Sequence, residues 1–260
     1  MAGLWRAVIL GSGFEDAVKP LEVYRVDTPF GSATTVYRVS LESLDVLVLP
    51  RHGPRHEKPP HKVDYRANLW ALKKLGAERV LAVNTVGAIN PVMRPGDLAV
   101  PHDLIDFTKS RAYTFYDSAP VVHIDFTEPY CRELRRLLIE SANKLSGRVW
   151  DRAVYVCTEG PRFETPAEIR MFRILGGDIV GMTGCPEASL ARELGICYAS
   201  LCLISNMAAG LQSRITSKEV SEVASEKRGV ILDTLKDVLK RMPRDRSCGC
   251  SLQKGAEFKV

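Results

Sequence analysis

Short, continuously apolar runs recur along this chain with amphipathic stretches between them, and that alternation is what most narrows the folds open to it. The runs are Arg6–Leu10, Leu44–Leu49, Arg79–Asn84, Leu98–Val100, Ala153–Cys157, Asp178–Met182 and Ile196–Ile204. Apolar residues on consecutive positions mark strands covered on both faces, since a strand with one wet face would alternate. The helix-period stretches are Tyr65–Leu75, Tyr130–Leu145, Pro166–Leu175, Pro186–Leu194 and Ser217–Arg241. Their ends are marked. Thr165-Pro166-Ala167-Glu168 is a capping box with proline at the first helical position, and Thr216 with Glu219 repeats the box. Gly76, Gly176 and Gly195 each follow the last leucine of a helix, as a left-handed cap requires. This alternation predicts an α/β fold, a single-domain sandwich with a mixed central sheet flanked by helices, over residues 1–242. Residues 243–260 turn polar and irregular, and are expected to form a loosely ordered tail carrying Cys248-Gly249-Cys250. No internal repeat divides the chain.

At 260 residues the chain can bury a substantial core without covalent staples. Its 45% hydrophobic and 26% charged residues are those of a soluble globular protein. Of the formal net charge of +5, the last twenty residues supply +3, five basic against two acidic, so the body is near neutral. No basic stripe interleaved with aromatics points to a nucleic-acid partner. No run approaches the roughly twenty apolar residues of a membrane span. Ala7–Leu10 leads straight into Gly11-Ser12-Gly13 with no cleavage pattern, so it reads as a first strand, and a cytoplasmic protein is expected. Of the seven cysteines, several sit in apolar runs as small buried hydrophobes. Cys248 and Cys250 form the one local pair; two thiols do not make a zinc site, and no metal is expected. The chain holds only five Asn and two Gln, and this scarcity of heat-labile amides hints at a hot-adapted source. There a disulfide involving the tail cysteines stands beside the plainer reading of two free thiols.

Ligands of open α/β sheets bind beyond the carboxyl ends of strands, so the loops after the strands are where chemistry is expected. Gly11-Ser12-Gly13 is small enough to bring backbone N–H groups and the Ser12 hydroxyl to an anion. A dinucleotide fingerprint would need a third glycine where Asp16 stands, and a plain tight turn reads equally well. Pro50-Arg51-His52-Gly53-Pro54-Arg55-His56 packs two Arg–His pairs into seven residues. Its guanidinium fork matches phosphate oxygens; a solvated basic turn is the bland alternative. Thr85 can donate to an anion, and Gly87 allows a flat ligand close to the backbone. Phe163 sits between a strand and a capped helix, where it either stacks on a planar base or staples the helix. Thr183 is a further anion donor and Glu187 an acceptor for a ring N–H. Asn206, at a strand end, is by itself more often a turn residue.

Together these segments resemble the trimeric purine nucleoside phosphorylase and 5′-methylthioadenosine phosphorylase family. The matching runs are Gly11-Ser12-Gly13, Arg51-His52-Gly53, Asn84 to Gly87 with Pro95-Gly96-Asp97, Thr158 to Phe163, and Met182-Thr183 with Pro186-Glu187, spread over roughly residues 6 to 210. The resemblance implies a phosphate site from Ser12, Arg51, His52, Thr85 and Thr183, with Met182 against the ribose and Phe163 on the base. It implies Glu187 and Asn206 as the catalytic readers of the purine, and His123 reaching the 5′ substituent in a neighbouring subunit. A homotrimer or a dimer of trimers follows, with nucleoside and phosphate as small-molecule partners and no cofactor beyond phosphate as co-substrate. The chain departs from the adenine-handling members at Ser205-Asn206-Met207-Ala208, where they carry Asp-x-Asp and the 6-oxopurine members carry Asn. Chemistry agrees with that split: an amide can donate to O6 and accept from a protonated N7, whereas a carboxylate facing O6 is repelled. Phosphorolysis of inosine, guanosine or methylthioinosine is therefore expected. An adenine-type methylthioadenosine phosphorylase, a water-using nucleosidase and a nucleobase-binding regulator are the competing readings.

Overall fold

A computed structural model describes residues 5–251, apart from 16, 42–43, 119–120 and 147, and a strand at 256–258. In chain order the strands and α-helices are β1 (Arg6–Leu10), β2 (Glu22–Thr28), β3 (Gly31–Leu41), β4 (Leu44–Pro50), α1 (Tyr65–Lys74), β5 (Arg79–Ala88), β6 (Leu98–Ala99), β7 (Asp103–Phe107) and β8 (Val121–His123). They continue as α2 (Arg132–Ser146), β9 (Val149–Trp150), β10 (Val154–Thr158), α3 (Pro166–Ile174), β11 (Ile179–Gly181), α4 (Gly184–Glu193), β12 (Cys197–Met207), α5 (Ser217–Arg241) and β13 (Ala256–Phe258). Every apolar run read from the sequence overlaps one of these strands, and β4, β5, β10 and β12 run on past the ends of theirs. Eleven strands make one mixed sheet whose main path runs β2-β3-β4-β1-β5-β11-β10-β7, with β12 on β5 and β6, and β9 on β6. The capping box closes as expected: Thr165 accepts from the Glu168 backbone N–H, and the Glu168 side chain accepts from that of Thr165. Thr216 caps α5 in the same way from its side, accepting from Glu219.

β1, β4, β5 and β12 form the middle of the sheet, and their side chains are divided between two apolar layers. Val8, Leu10, Val48, Leu81, Val83 and Leu203 pack with Leu134, Leu138, Ile231 and Val238 of α2 and α5. Ala7, Ile9, Leu47, Leu49, Val80 and Ala82 pack with Leu69 and Leu72 of α1 and Leu190 of α4. Burying strands on both faces is what removes the period-two pattern from their sequence. The β2–β3 hairpin, which lies outside the apolar runs, is the converse. β2 is largely exposed, with Val26 its one buried residue, so it lacks the continuous apolar signal.

Over residues 243–251 the expectation of a loose tail is corrected; 252–255 and 259–260 lie outside the described residues. Arg246 donates to the Gly195 carbonyl at 2.8 Å and pairs with Glu78 at 3.0 Å, and the Ser247 backbone N–H donates to Glu133 at 2.6 Å. Arg79, fully buried, joins Glu133 at 2.8 Å to the Asp245 carbonyl at 2.7 Å. Cys248 and Cys250 are buried in the α2–α5 layer. They meet Cys131, just before α2, and Cys197, which opens β12. All four sulfurs lie within 4.8 Å of one another, and Cys197 and Cys248 approach to 3.4 Å. Folding thus supplies the second pair of thiols that sequence neighbourhood did not show.

Candidate active site

Where the sheet forks, a cavity opens. One edge of β5 pairs with β12 along its whole length. The other edge pairs with β1 only over Arg79–Ala82, and with antiparallel β11 at Gly87 and Ala88. Residues 83–86 therefore face a gap on that side, and three turns converge there, after β1, β4 and β11. They enclose a cavity of about 280 Å³. Ser12 comes from the first turn, Arg51, His52 and His56 from the second, Met182 and Thr183 from the third. Thr85 and Gly87 line it from β5, Ser205 and Asn206 from β12, with Ala208 just beyond, and Phe163 and Glu164 from the loop ahead of α3.

At one end of the cavity the polar groups bind one another first. Arg51 is 2% exposed and Glu187 0%. Arg51 Nε meets Glu187 Oε1 at 2.5 Å, Nη2 meets Oε2 at 2.9 Å, and Nη1 donates to the Val83 carbonyl, left open by the fork, at 2.9 Å. Burial opposes the guanidinium charge, but Glu187 outweighs it and holds Arg51 above its ordinary pKa. Gly11 is required here, since a Cβ would lie 2.3 Å from Arg51 Nη1 and 2.6 Å from the Val83 carbonyl oxygen. The sequence expectation for Glu187 is corrected. It does not line the cavity; it lies beneath it, gripping Arg51 and accepting from the Tyr198 hydroxyl at 2.8 Å. The Arg51 fork is correspondingly spent on Glu187, which leaves one N–H on Nη1 for a ligand.

Asn84 bridges this end. Its amide donates to Thr183 Oγ1 at 2.9 Å and its oxygen accepts from Ser200 at 2.6 Å. Thr183 therefore keeps its own hydroxyl hydrogen for a ligand. Thr85, expected as a donor, spends its hydrogen on the Ser12 carbonyl at 3.1 Å. His52 Nδ1 lies 2.8 Å from the Lys58 carbonyl, which can only accept, so Nδ1 carries the ring hydrogen. Burial, and then the Arg51 charge, push the His52 pKa down to about 4. It is neutral at neutral pH. His56 stacks on His52 with ring centroids 4.6 Å apart, and its Nδ1 meets Glu15 at 2.5 Å.

The other end is more open. Phe163 is 43% exposed, while Met182 lies against Gly160, where a Cβ would sit 2.6 Å from its sulfur. Asn206 is reached by a β-bulge. Ile204 stands opposite Val86, but Asn206 and not Ser205 stands opposite Gly87. Its orientation is fixed by its neighbours: Oδ1 accepts from the Ser205 hydroxyl at 2.7 Å, and Nδ2 donates to the Met207 carbonyl at 2.9 Å. Gly87 makes room for that amide, since a Cβ there would be 3.1 Å from Nδ2. Glu164 is the site residue that sequence reading missed. It is 9% exposed, accepts from the Thr158 hydroxyl at 2.5 Å, and its pKa is raised by burial. Its signal lay between Phe163 and the capping Thr165, on a loop already singled out. Arg111, also missed, ties that loop down through the Met182 carbonyl at 2.7 Å and Glu159 at 3.3 Å. His123, on β8, is exposed and does not line this cavity.

Residues 6–240 match the phosphorylase superfamily. The chain belongs to that family. It is 51% identical over 224 residues to a probable S-methyl-5′-thioinosine phosphorylase of Methanothermobacter thermautotrophicus, covering 86% of this chain and 78% of that protein. It is 48% identical over 255 residues to the 6-oxopurine nucleoside phosphorylase of Pyrococcus furiosus, covering 94% and 95%. In structure it is similar to methylthioadenosine phosphorylase from Schistosoma mansoni in complex with adenine, with a TM-score of 0.87 and 32% identity over 94% of this chain and 93% of that one. Among the described residues, Cys131, Cys197, Cys248 and Cys250 have the mutual spacing a metal ion would use, and none of them lines the cavity. No helix among the described residues is long and apolar enough to cross a membrane.

Proposed function

We propose that this member of the superfamily is a cytoplasmic phosphorylase of 6-oxopurine nucleosides, cleaving inosine, guanosine or methylthioinosine to the free base and the (methylthio)ribose 1-phosphate. The observation that carries this reading is the Asn206 amide, set in the cavity beside Ala208, where a carboxylate pair would suit adenine. After its bonds to Ser205 and Met207, the amide keeps one hydrogen for O6 and one lone pair for a protonated N7. An aspartate at 206 would face the Met207 carbonyl with no hydrogen to offer. Glu164 supplies the complement: a carboxylate can accept the N1–H that a 6-oxopurine carries and adenine lacks. The names of the two similar proteins above, a thioinosine and a 6-oxopurine phosphorylase, support the same choice.

In the reaction a hydrogen phosphate oxygen attacks C1′ as the C1′–N9 bond breaks, and the electron pair leaves on the purine, which takes a proton at N7 from solvent while the phosphate, on becoming the ester, gives one back. Positive charge develops on the sugar, as in glycoside cleavage generally. Ser12, Arg51, His52 and Thr183 hold phosphate below it, Met182 packs on the ribose, and Phe163 covers the base. Acceleration comes from position and fixed electrostatics. His123, lying outside its own chain's cavity, fits a site completed by a second copy in a closed trimer or dimer of trimers. The test is a panel of inosine, guanosine, adenosine, methylthioinosine and methylthioadenosine, each with and without phosphate. Faster turnover of methylthioadenosine than of methylthioinosine would overturn the base assignment, and a fully active monomer in sedimentation would remove His123 from the site.

A further inference from the structure

Away from the cavity, the described residues hold a cluster of soft nucleophiles to which phosphorolysis gives no task. Cys131, Cys197, Cys248 and Cys250 come from three separate stretches of chain, and each is at most 6% exposed. Main-chain bonds fix where they stand. The Cys131 N–H donates to the Tyr198 carbonyl at 2.8 Å, which sets Cys131 beside the start of β12. The Cys197 N–H donates to the Glu78 carbonyl at 2.9 Å. Cys248 follows Ser247, whose own N–H is held by Glu133 at 2.6 Å. The sulfurs are thus brought together by anchors that do not involve sulfur.

Their spacing suits one central ion. Sulfurs at the corners of a tetrahedron with metal–sulfur bonds of about 2.3 Å lie about 3.8 Å apart. Here all four lie within 4.8 Å of one another, and Cys197 and Cys248 approach to 3.4 Å. A disulfide draws two sulfurs to about 2.05 Å and places no demand on the other two. We infer that these four cysteines form a tetrathiolate site for a zinc ion, which ties the C-terminal segment to α2 and β12. Four thiolates complete a tetrahedral shell and leave no position for substrate, so the ion is structural. Soft sulfur ligands favour zinc over magnesium or calcium. Binding releases the four thiol protons to solvent, and the ion with its ligands then carries two negative charges. Cationic side chains meet that charge. Arg79 stands opposite Cys197 in the β5–β12 ladder, fully buried and within electrostatic reach of the Cys131 and Cys197 sulfurs, and its Nε keeps a hydrogen without an acceptor. Arg132 and Arg192 border a recess of about 280 Å³ that reaches Cys131, Cys248 and Cys250 and gives the ion a way in.

The experiment takes the full chain, purified anaerobically with a reductant, adds zinc chloride, removes the excess by gel filtration and measures metal by mass spectrometry. About one zinc per chain should remain. Cobalt(II) in place of zinc should give the strong visible absorption and sulfur charge-transfer bands of a tetrahedral thiolate complex. Cys248→Ser should weaken metal retention at least about tenfold, whereas Cys202→Ser, outside the cluster, should keep it. Zinc retained far below one per chain would overturn the inference, and so would a cobalt spectrum without thiolate bands. Disulfides among these four cysteines in protein kept anaerobic from the cell onward would overturn it as well. These readouts do not involve turnover, so the metal site and the phosphorylase reading stand or fall separately.

Discussion

At the anion end of the cavity Arg51, His52, Asn84 and Glu187 are at most 3% exposed and are bonded to one another or to main-chain carbonyls. At the base end Phe163 is 43% exposed, and among the described residues the Asn206 side chain is held by its immediate chain neighbours, Ser205 and Met207. The difference follows from what each end must do. A reacting anion gains from dipoles and charges that need no reorganisation when charge moves, and such preorganisation requires many mutual bonds. Reading a purine edge needs only a few donors and acceptors in the right pattern, and local bonds suffice to set them. The anion end should therefore fail broadly when one member is removed, whereas the base end should exchange one specificity for another.

The largest effect tests the first half of that contrast. Arg51→Ala should do more than weaken phosphate use, because it strands the Glu187 carboxylate at 0% exposure. Breaking a buried pair in this way costs about 3–5 kcal/mol of stability, readable as a lowered denaturant midpoint beside the loss of phosphate-dependent rate. An unchanged midpoint would mean the pair is not the structural unit described.

Glu164→Gln comes next and should separate the two ends. Loss of a charged acceptor should lower kcat/KM for inosine by about 1.5 kcal/mol or more, with little change in the KM for phosphate. The direction of the pH effect follows from the raised pKa of Glu164. Protonation removes the acceptor for N1–H, so inosine cleavage should fall with acidification at a pH above the ordinary carboxylate range. That limb should be missing from the pH profile of Glu164→Gln.

Asn206→Asp combined with Ala208→Asp should exchange preference without collapse. A buried polar mismatch is worth about 1–3 kcal/mol, and polar mismatches discriminate more sharply than a methylene does. The inosine-to-adenosine ratio of kcat/KM should drop accordingly, and Asn206→Asp alone should move it part of the way. A ratio unmoved by the double substitution would place base choice elsewhere.

The smallest effect on catalysis belongs to the sulfur cluster, which none of the cavity residues shares. Replacing Cys248 and Cys250 with serine should hasten heat inactivation and leave the inosine-to-adenosine ratio unaltered. Intact mass of the native protein distinguishes thiols, disulfides and a bound metal ion, and peptide mapping identifies any pairing. Equal inactivation rates for oxidised parent and variant would retire a stabilising cross-link.

The legibility of the two ends differed as well. Arg51, His52, Thr85 and Thr183 sit directly after or within strongly apolar strands, so the strand-end rule led to them. What the sequence could not show was whom they bind. Arg51 and Glu187 are 136 positions apart, and only the fold reveals that a carboxylate assigned to the purine is engaged beneath the cavity with Arg51. Glu164 escaped because its neighbours had clearer local explanations, an aromatic on one side and a helix cap on the other. The β2–β3 hairpin escaped because its exposure suppresses the apolar run. The C-terminal segment looked loose because its anchors, Gly195, Glu78, Arg79 and Glu133, are remote in sequence.

The bulge in β12 bears on how this site can change over evolutionary time. In an unbroken ladder the residue after Ile204 would stand opposite Gly87, and that residue is Ser205. One added position brings Asn206 there in its place. Because strand side chains alternate, a slip of one residue exchanges which side chain faces a ligand. On the role proposed for Asn206, substrate choice is thus encoded in the count of residues as well as in their kind. A single-codon deletion near Ser205 could redraw the base pocket in one step, a path that surveys of point substitutions would never sample.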